Sequence, residues 1–253
     1  MKVFKQIYLI ASVLLCSSII SSCDLNEDDS KSLFYLTLGT VINEDGLMVE
    51  SDSHGILVPS NPGYFTSAKL DTTGQRVLMS VPASDLEAMV PDGEQRIVDI
   101  VELYKVLTKD ANDLRNDSLI SENDTDFGND PVQITGISIS AKHLNIEVYI
   151  KGNDREKPHR LSLLLNKDCK LDENGWLPVE LRHNAEGDSQ KDVFWSVVSF
   201  NLSSIPEYQN STFKGFRVYY NNGTNPHATC EISKGQTLNQ KEINTSRIHS
   251  NNK

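Results

Sequence analysis

Apolar and polar positions alternate along most of the chain, and a period of two predicts strands rather than helices. Phe34, Leu36 and Leu38 share one face of a first strand that runs to Ile42. Glu44-Asp45-Gly46 turns the chain, and Leu47-Met48-Val49 starts the return strand. Ile56-Leu57-Val58 runs into Pro59, and Asn61-Pro62-Gly63 punctuates a loop. Gln75 to Val81 and Ile97 to Leu107 read as two further strands, with one helical turn expected over Asp85 to Val90. Some five short strands over residues 33–109 suit a small closed barrel of the OB type.

Residues 110–130 break the pattern. Asp110, Asp113, Asp117, Glu122, Asp124, Asp126 and Asp130 accumulate among Asn and Ser, and an acidic linker between two domains is expected there. Beyond it the alternation is cleaner: Leu144, Ile146, Val148 and Ile150 point one way, Asn145, Glu147 and Tyr149 the other. With Val132–Ser140, Arg160–Leu165, Trp176–His183, Val193–Leu202, Phe213–Tyr220 and Ala228–Ile232, seven strands predict an antiparallel sandwich over residues 131–235. Residues 236–253 form a polar tail.

The N-terminus sets the compartment. Lys2 and Lys5 precede an apolar stretch from Ile7 to Cys16, too short to span a bilayer, and small residues follow. Ile20-Ser21-Ser22-Cys23 resembles a bacterial lipobox, so residues 1–22 are expected to be cleaved and Cys23 to carry the lipid anchor. Residues 23–32 are then an acidic tether, similar to the export signal of Bacteroidota surface lipoproteins. A lipid anchor in the outer membrane, exposed at the surface, is the expected location. Of the remaining thiols, Cys169 and Cys230 could form a disulfide or stay apart, because spacing alone does not decide whether they meet.

Charge narrows the function. The 253 residues carry a formal −11, and loss of Lys2 and Lys5 with the signal takes this to −13. Such a balance opposes nucleic-acid binding, which needs a cationic footprint. No Gly-x-Ser-x-Gly, His-Glu-x-x-His or phosphate-binding glycine loop occurs, so neither catalytic residues nor a cofactor are assigned. Asp124 to Asp130 spaces carboxylates like a calcium loop but lacks the EF-hand order, and no metal site is assigned. Tyr64, Phe65 and Trp176 are candidate loop aromatics for glycan or protein contact. Asp71-Thr72-Thr73 and Asp117-Ser118-Leu119 resemble the O-glycosylation triplet of exported Bacteroidota proteins, which marks Thr72 and Ser118.

Arg182-His183-Asn184 followed by Gly187-Asp188 is the densest polar motif. His183 shares the phase of Leu177, Val179 and Leu181, so it is expected to face the core and to lock a turn by hydrogen bonding. A recognition loop using Arg182, His183 and Asp188 is the alternative. Together with Leu38-Gly39-Thr40-Val41, Val106-Leu107-Thr108-Lys109, Gly128-Asn129-Asp130-Pro131-Val132, Trp195 and Val198-Ser199-Phe200, this motif resembles the NigD-like lipoproteins of Bacteroidota. The resemblance implies an OB-type barrel followed by an immunoglobulin-like β-sandwich, and a role as an envelope or bacteriocin-immunity protein without catalysis. An envelope protein, a bacteriocin or a glycan is the implied ligand; an envelope hydrolase or a glycan-binding accessory protein is the alternative.

Overall fold

The computed structural model describes residues 33–87, 94–115, 126–154 and 156–239. The expected signal peptide and acidic tether, with Cys23, and Ser118 lie outside them. The N-terminal part contains β1 (Phe34–Asn43), β2 (Leu47–Ser51), β3 (Gly55–Pro59), β4 (Arg76–Pro82), β5 (Arg96–Val98) and β6 (Glu102–Lys105). Two short helices, α1 (Gly63–Ala68) and α2 (Ala83–Glu87), interrupt them. The six strands form one sheet in the order β5-β3-β2-β1-β4-β6. Val41, Val49, Leu57, Val77 and Met79 from its inner face pack with Phe65 of α1 and Leu86 of α2.

Two features of this part differ from expectation. The sheet ends at β5 and β6, which do not pair with each other among the described residues, so no closed barrel forms. Leu36 and Leu38 share a face as expected, and pack with Leu78, Val106 and Val197 rather than with the part's own core. The single strand expected over Ile97 to Leu107 is broken. At the break, Asp85 Oδ2 accepts the Asp99 N–H at 2.9 Å and Asn61 Oδ1 accepts the Ile100 N–H at 3.2 Å. Side chains thus satisfy backbone groups that the ladder no longer reaches.

The chain then enters a sandwich of ten strands. One sheet has β7 (Leu107–Asp110), β9 (Val132–Ile139), β10 (His143–Gly152), β13 (Asp192–Asn201) and β16 (Thr237–Asn239). The other has β8 (Asn112–Asp113), β11 (Arg160–Leu165), β12 (Trp176–Asn184), β14 (Gly215–Tyr220) and β15 (Ala228–Ser233). Their facing sides bury a single large core that includes Ile146, Val148, Leu163, Val179, Phe200 and Phe216.

The sandwich is mixed rather than antiparallel. β12 pairs with β14, β13 with β7 and β11 with β8, all parallel. The cause is topological: the chain leaves β12 for the other layer, builds β13 there, and returns as β14 beside β12 in the same direction. β7, β8 and β16 are the strands that the alternation did not yield. Leu107–Lys109 was expected to close the barrel and Asp110–Asp113 to lie in the linker, yet residues of both pair with sandwich strands. The tail likewise contributes β16, which pairs with β9.

The outer face of the first sheet rests on the β9-β10-β13 face of the sandwich. Arg76, wholly buried on β4, spans the joint. Its Nη1 and Nη2 donate to Asp52 at 2.8 and 2.7 Å, and Nη2 donates to Asn145 Oδ1 at 2.9 Å. Ser199 Oγ donates to the same Asn145 oxygen at 2.7 Å, while Asn145 Nδ2 donates to Asp52 at 2.8 Å. The disulfide question is answered too: Cys169 and Cys230 are both free and buried, and burial pushes each thiol up to about 12.

Candidate functional site

The Arg-His-Asn-x-x-Gly-Asp motif sits at one end of the sandwich. β12 buries alternate residues, so His183 continues the inward row of Leu177, Val179 and Leu181 as its phase predicts. The chain then turns through Glu186 and Gly187, both with positive φ (51° and 74°). Asn184 Oδ1 accepts the Glu186 N–H at 2.8 Å, and the Asp188 N–H reaches Ala185 O at 2.9 Å. This returns Asp188 beneath the sheet.

Asp188 is a hub. One carboxylate oxygen accepts the N–H groups of Asn153 at 2.7 Å and Asp154 at 3.1 Å and faces His159 Nε2 at 3.3 Å; the other accepts Ser189 N–H at 2.8 Å. These bonds, led by that from Asn153, hold the carboxyl down to about 2. His159 Nδ1 lies 2.9 Å from His183 Nε2, and His183 Nδ1 lies 3.1 Å from Pro131 O. The two rings stack with centroids 5.1 Å apart. Burial lowers the pKa of His183.

Proton arithmetic follows from the partners. A carbonyl only accepts, so His183 Nδ1 carries hydrogen. With His183 kept neutral by burial, its Nε2 is an acceptor and His159 Nδ1 must donate to it. Asp188 accepts from His159 Nε2. When all three links are made, His159 lies between the imidazole of His183 and the carboxylate of Asp188. Every ring nitrogen of the pair is occupied from within the protein.

The same motif fastens residues 126–131. Arg182 Nη1 donates to Gly128 O at 3.2 Å, Asn184 Nδ2 to Asp126 O at 3.1 Å, and Ala185 N–H to Asp130 Oδ2 at 2.8 Å. Gly128 has φ +65°, and a Cβ there would stand 2.7 Å from His183 O, so glycine is required. Arg182 also pairs with Glu180 at 2.7 Å. Arg182, His183 and Asn184 thus clamp the chain that enters β9, while the turn through Gly187 brings Asp188 to residues 153–154 and His159.

His159 forms the wall of an open cleft with two lobes of about 560 and 550 Å³, both lined by Leu107, Lys157, Pro158 and Leu161. One lobe adds Lys109, Arg160 and Glu186; the other adds Asp154, Phe194 and Trp195. Lys109 Nζ crosses the opening to donate to Leu161 O at 2.7 Å, and burial lowers its pKa. Arg160 pairs with Glu186 at 3.2 Å.

Other candidates fare differently. Phe65 is core rather than loop, Trp176 is half-buried at the start of β12, and only Tyr64 of the three loop aromatics is exposed. Thr72 is exposed in a turn. Among the described residues, no three His, Cys, Asp or Glu side chains are grouped to hold a metal ion, and no helix is long and apolar enough to cross a membrane. His159 and Arg76 carried no signal in the sequence. His159 stands just before β11, and only the β11–β12 pairing, Leu161 opposite His183, brings it to the motif.

Residues 117–233 match the model of the NigD-like C-terminal beta sandwich domain. No curated protein matches the chain. Among solved structures, a protein of unknown function from Bacteroides vulgatus is similar at 20% identity and TM-score 0.60, over 84% of this chain and 99% of that one. A NigD-like immunity protein from Bacteroides caccae is similar at 16% identity and TM-score 0.50, over 84% and 99%. A Bacteroides fragilis protein provisionally described as a lipoprotein is similar at 12% identity and TM-score 0.54, over 82% and 98%. At these identities the likeness is one of fold. By the sandwich-domain match, residues 117–233 belong to the NigD-like family.

Proposed function

We propose that the protein is a lipid-anchored envelope protein that binds an incoming bacteriocin or an envelope component and does not transform it. The observation that carries this reading is the occupancy of the motif. A general base needs a free ring nitrogen within reach of a substrate proton. Here all four imidazole nitrogens bond within the protein, and the motif's carboxylate holds three backbone N–H groups. The description of the Bacteroides caccae neighbour as an immunity protein supports the bacteriocin arm, and the lipobox at Cys23 supports the anchor.

Deletion strains challenged with culture supernatants of bacteriocin producers from related strains test the proposal. Sensitisation is expected, with protection restored by the wild-type gene and not by a Cys23→Ala variant, which should be released in soluble form. Equal sensitivity of deletion and parent strains removes the immunity role. Turnover of glycan, ester or peptide substrates that is lost on changing one residue would make the protein a hydrolase instead.

A further inference from the structure

The cleft beside His159 is also a gap in two sheets. β7 pairs with β13 only at residues 198–201, so on that side residues 193–196 have no strand neighbour among the described residues. Across the opening, β8 pairs with β11 only at Leu164 and Leu165. An exposed strand edge is a liability that proteins usually blunt with Pro, Lys or inward charge. Val193-Phe194-Trp195-Ser196 contains none of these. Val193 is 59% exposed, Trp195 41%, and Leu107, where β7 begins, 44%. Three large exposed apolar side chains thus gather at one unpaired edge, the composition of a surface that something covers.

The rim has a sign. The cleft lining holds the cations Lys109, Lys157 and Arg160 against the carboxylates Asp154 and Glu186, an excess of one positive charge (3 − 2) in a chain of net −11. Arg160 and Lys109 already have partners, whereas Lys157 has no ion-pair partner among the described residues. We propose that this edge accepts an extended, acidic segment of a partner polypeptide as an added strand along β13 residues 193–196. Main-chain hydrogen bonds to β13 hold the segment, as in other strand-addition complexes. Its side chains alternate: apolar ones lie beside Val193 and Trp195, and carboxylates face the cleft and Lys157. The strand occupies the space in front of β7, which already pairs with β13 in this way four residues on.

The proposal deepens the binding reading by naming the kind of partner, and its test is separable from the strain assay. Two nine-residue peptides, one alternating Val with Glu and one alternating Val with Lys, are titrated against the full lipidated chain in detergent micelles. Binding is read by calorimetry and by amide hydrogen exchange. The Glu peptide is expected to bind saturably and to slow exchange across residues 193–196. The Lys peptide should bind at least tenfold more weakly. Lys157→Glu should reverse that preference, and Val193→Asp, a surface change that leaves the core intact, should weaken the Glu peptide about tenfold. No saturable binding of the Glu peptide, equal binding of the two peptides, or protection elsewhere than β13 would overturn strand addition. If that happens while the deletion strain is sensitised, the strand falls and the envelope-binding function stands; peptide binding without sensitisation gives the reverse.

Discussion

His183 shows how much one side chain can organise at the end of a strand. It is buried, it satisfies Pro131 O on one side, and it receives the His159 proton on the other. Truncation to Ala leaves both partners unsatisfied, which costs about 1–3 kcal/mol. A lower urea midpoint with faster amide exchange in residues 126–131 is the expected result, and unchanged stability would return the motif to a recognition role. His143 gives the pH dependence. Burial first, and then the nearby Arg76 guanidinium, push its pKa down to about 4. The unfolded chain therefore takes up this proton near pH 6.5 while the native state resists it. Stability is full above pH 6.5 and declines as pH falls through about 4. Solvent screening reduces the shift to an effect of about 1–3 kcal/mol. His183 is lowered too and acts in the same direction. Urea unfolding of wild type and His143→Gln at pH 7.5 and pH 5 measures it; a His143→Gln variant as pH-sensitive as wild type would refute the assignment.

Strands were legible wherever one face is buried and the other wet, because that condition writes a period of two into the sequence. Arg160–Leu165 is the same by pattern and by structure, and β12 carries the motif in the predicted phase. Short strands such as β7, β8 and β16 were not legible, since two to four residues hold no period and their pairing is settled by distant partners. α1 was hidden because Asn61-Pro62-Gly63 reads as a turn, although the next turn of chain carries Phe65 into the core. Leu36 and Leu38 illustrate a related ambiguity. A sheet covered on both faces is apolar on both, and alternation then cannot say which side is the core. The joint between the first sheet and the sandwich rests on the same ambiguity. Arg76 on β4 reads as a surface cation, yet its fork fits Asp52 bidentately while it also reaches Asn145 of β10. Arg76→Met strips the guanidinium from that carboxylate and amide, at an expected cost of about 3 kcal/mol, because Asp52 keeps the Asn145 amide and partial access to water. The double variant with Asp52→Leu should recover part of the loss. Chemical denaturation of the four proteins gives the coupling, and strict additivity would mean that the pair does not hold the joint.

At the scale of the whole molecule, the two parts are interwoven rather than strung on a linker. The acidic segment 110–130 was expected to separate independent domains, which a single cut would release. β7 and β8 precede residues 116–125 in the chain, yet they complete the two sheets of the sandwich whose other strands follow them. Ala111 N–H donates to Ser204 Oγ at 2.9 Å, Leu114 N–H to Leu165 O at 3.0 Å, and Leu114 packs with Phe127 and Leu164. Arg115 is held between Asp113 and Glu207. An N-terminal fragment ending near residue 118 therefore carries edge strands that belong to the C-terminal one, and the Arg76 joint binds them a second time. A protease site engineered between residues 118 and 123 should be cut to completion while the two pieces still elute together in size-exclusion chromatography. They should separate only in denaturant. Added Arg76→Met should ease that separation without abolishing the complex, because β7 and β8 remain docked. Fragments that part spontaneously after cleavage would mean that these short parallel pairings contribute little, and that the sandwich stands on the seven strands that its sequence pattern displays.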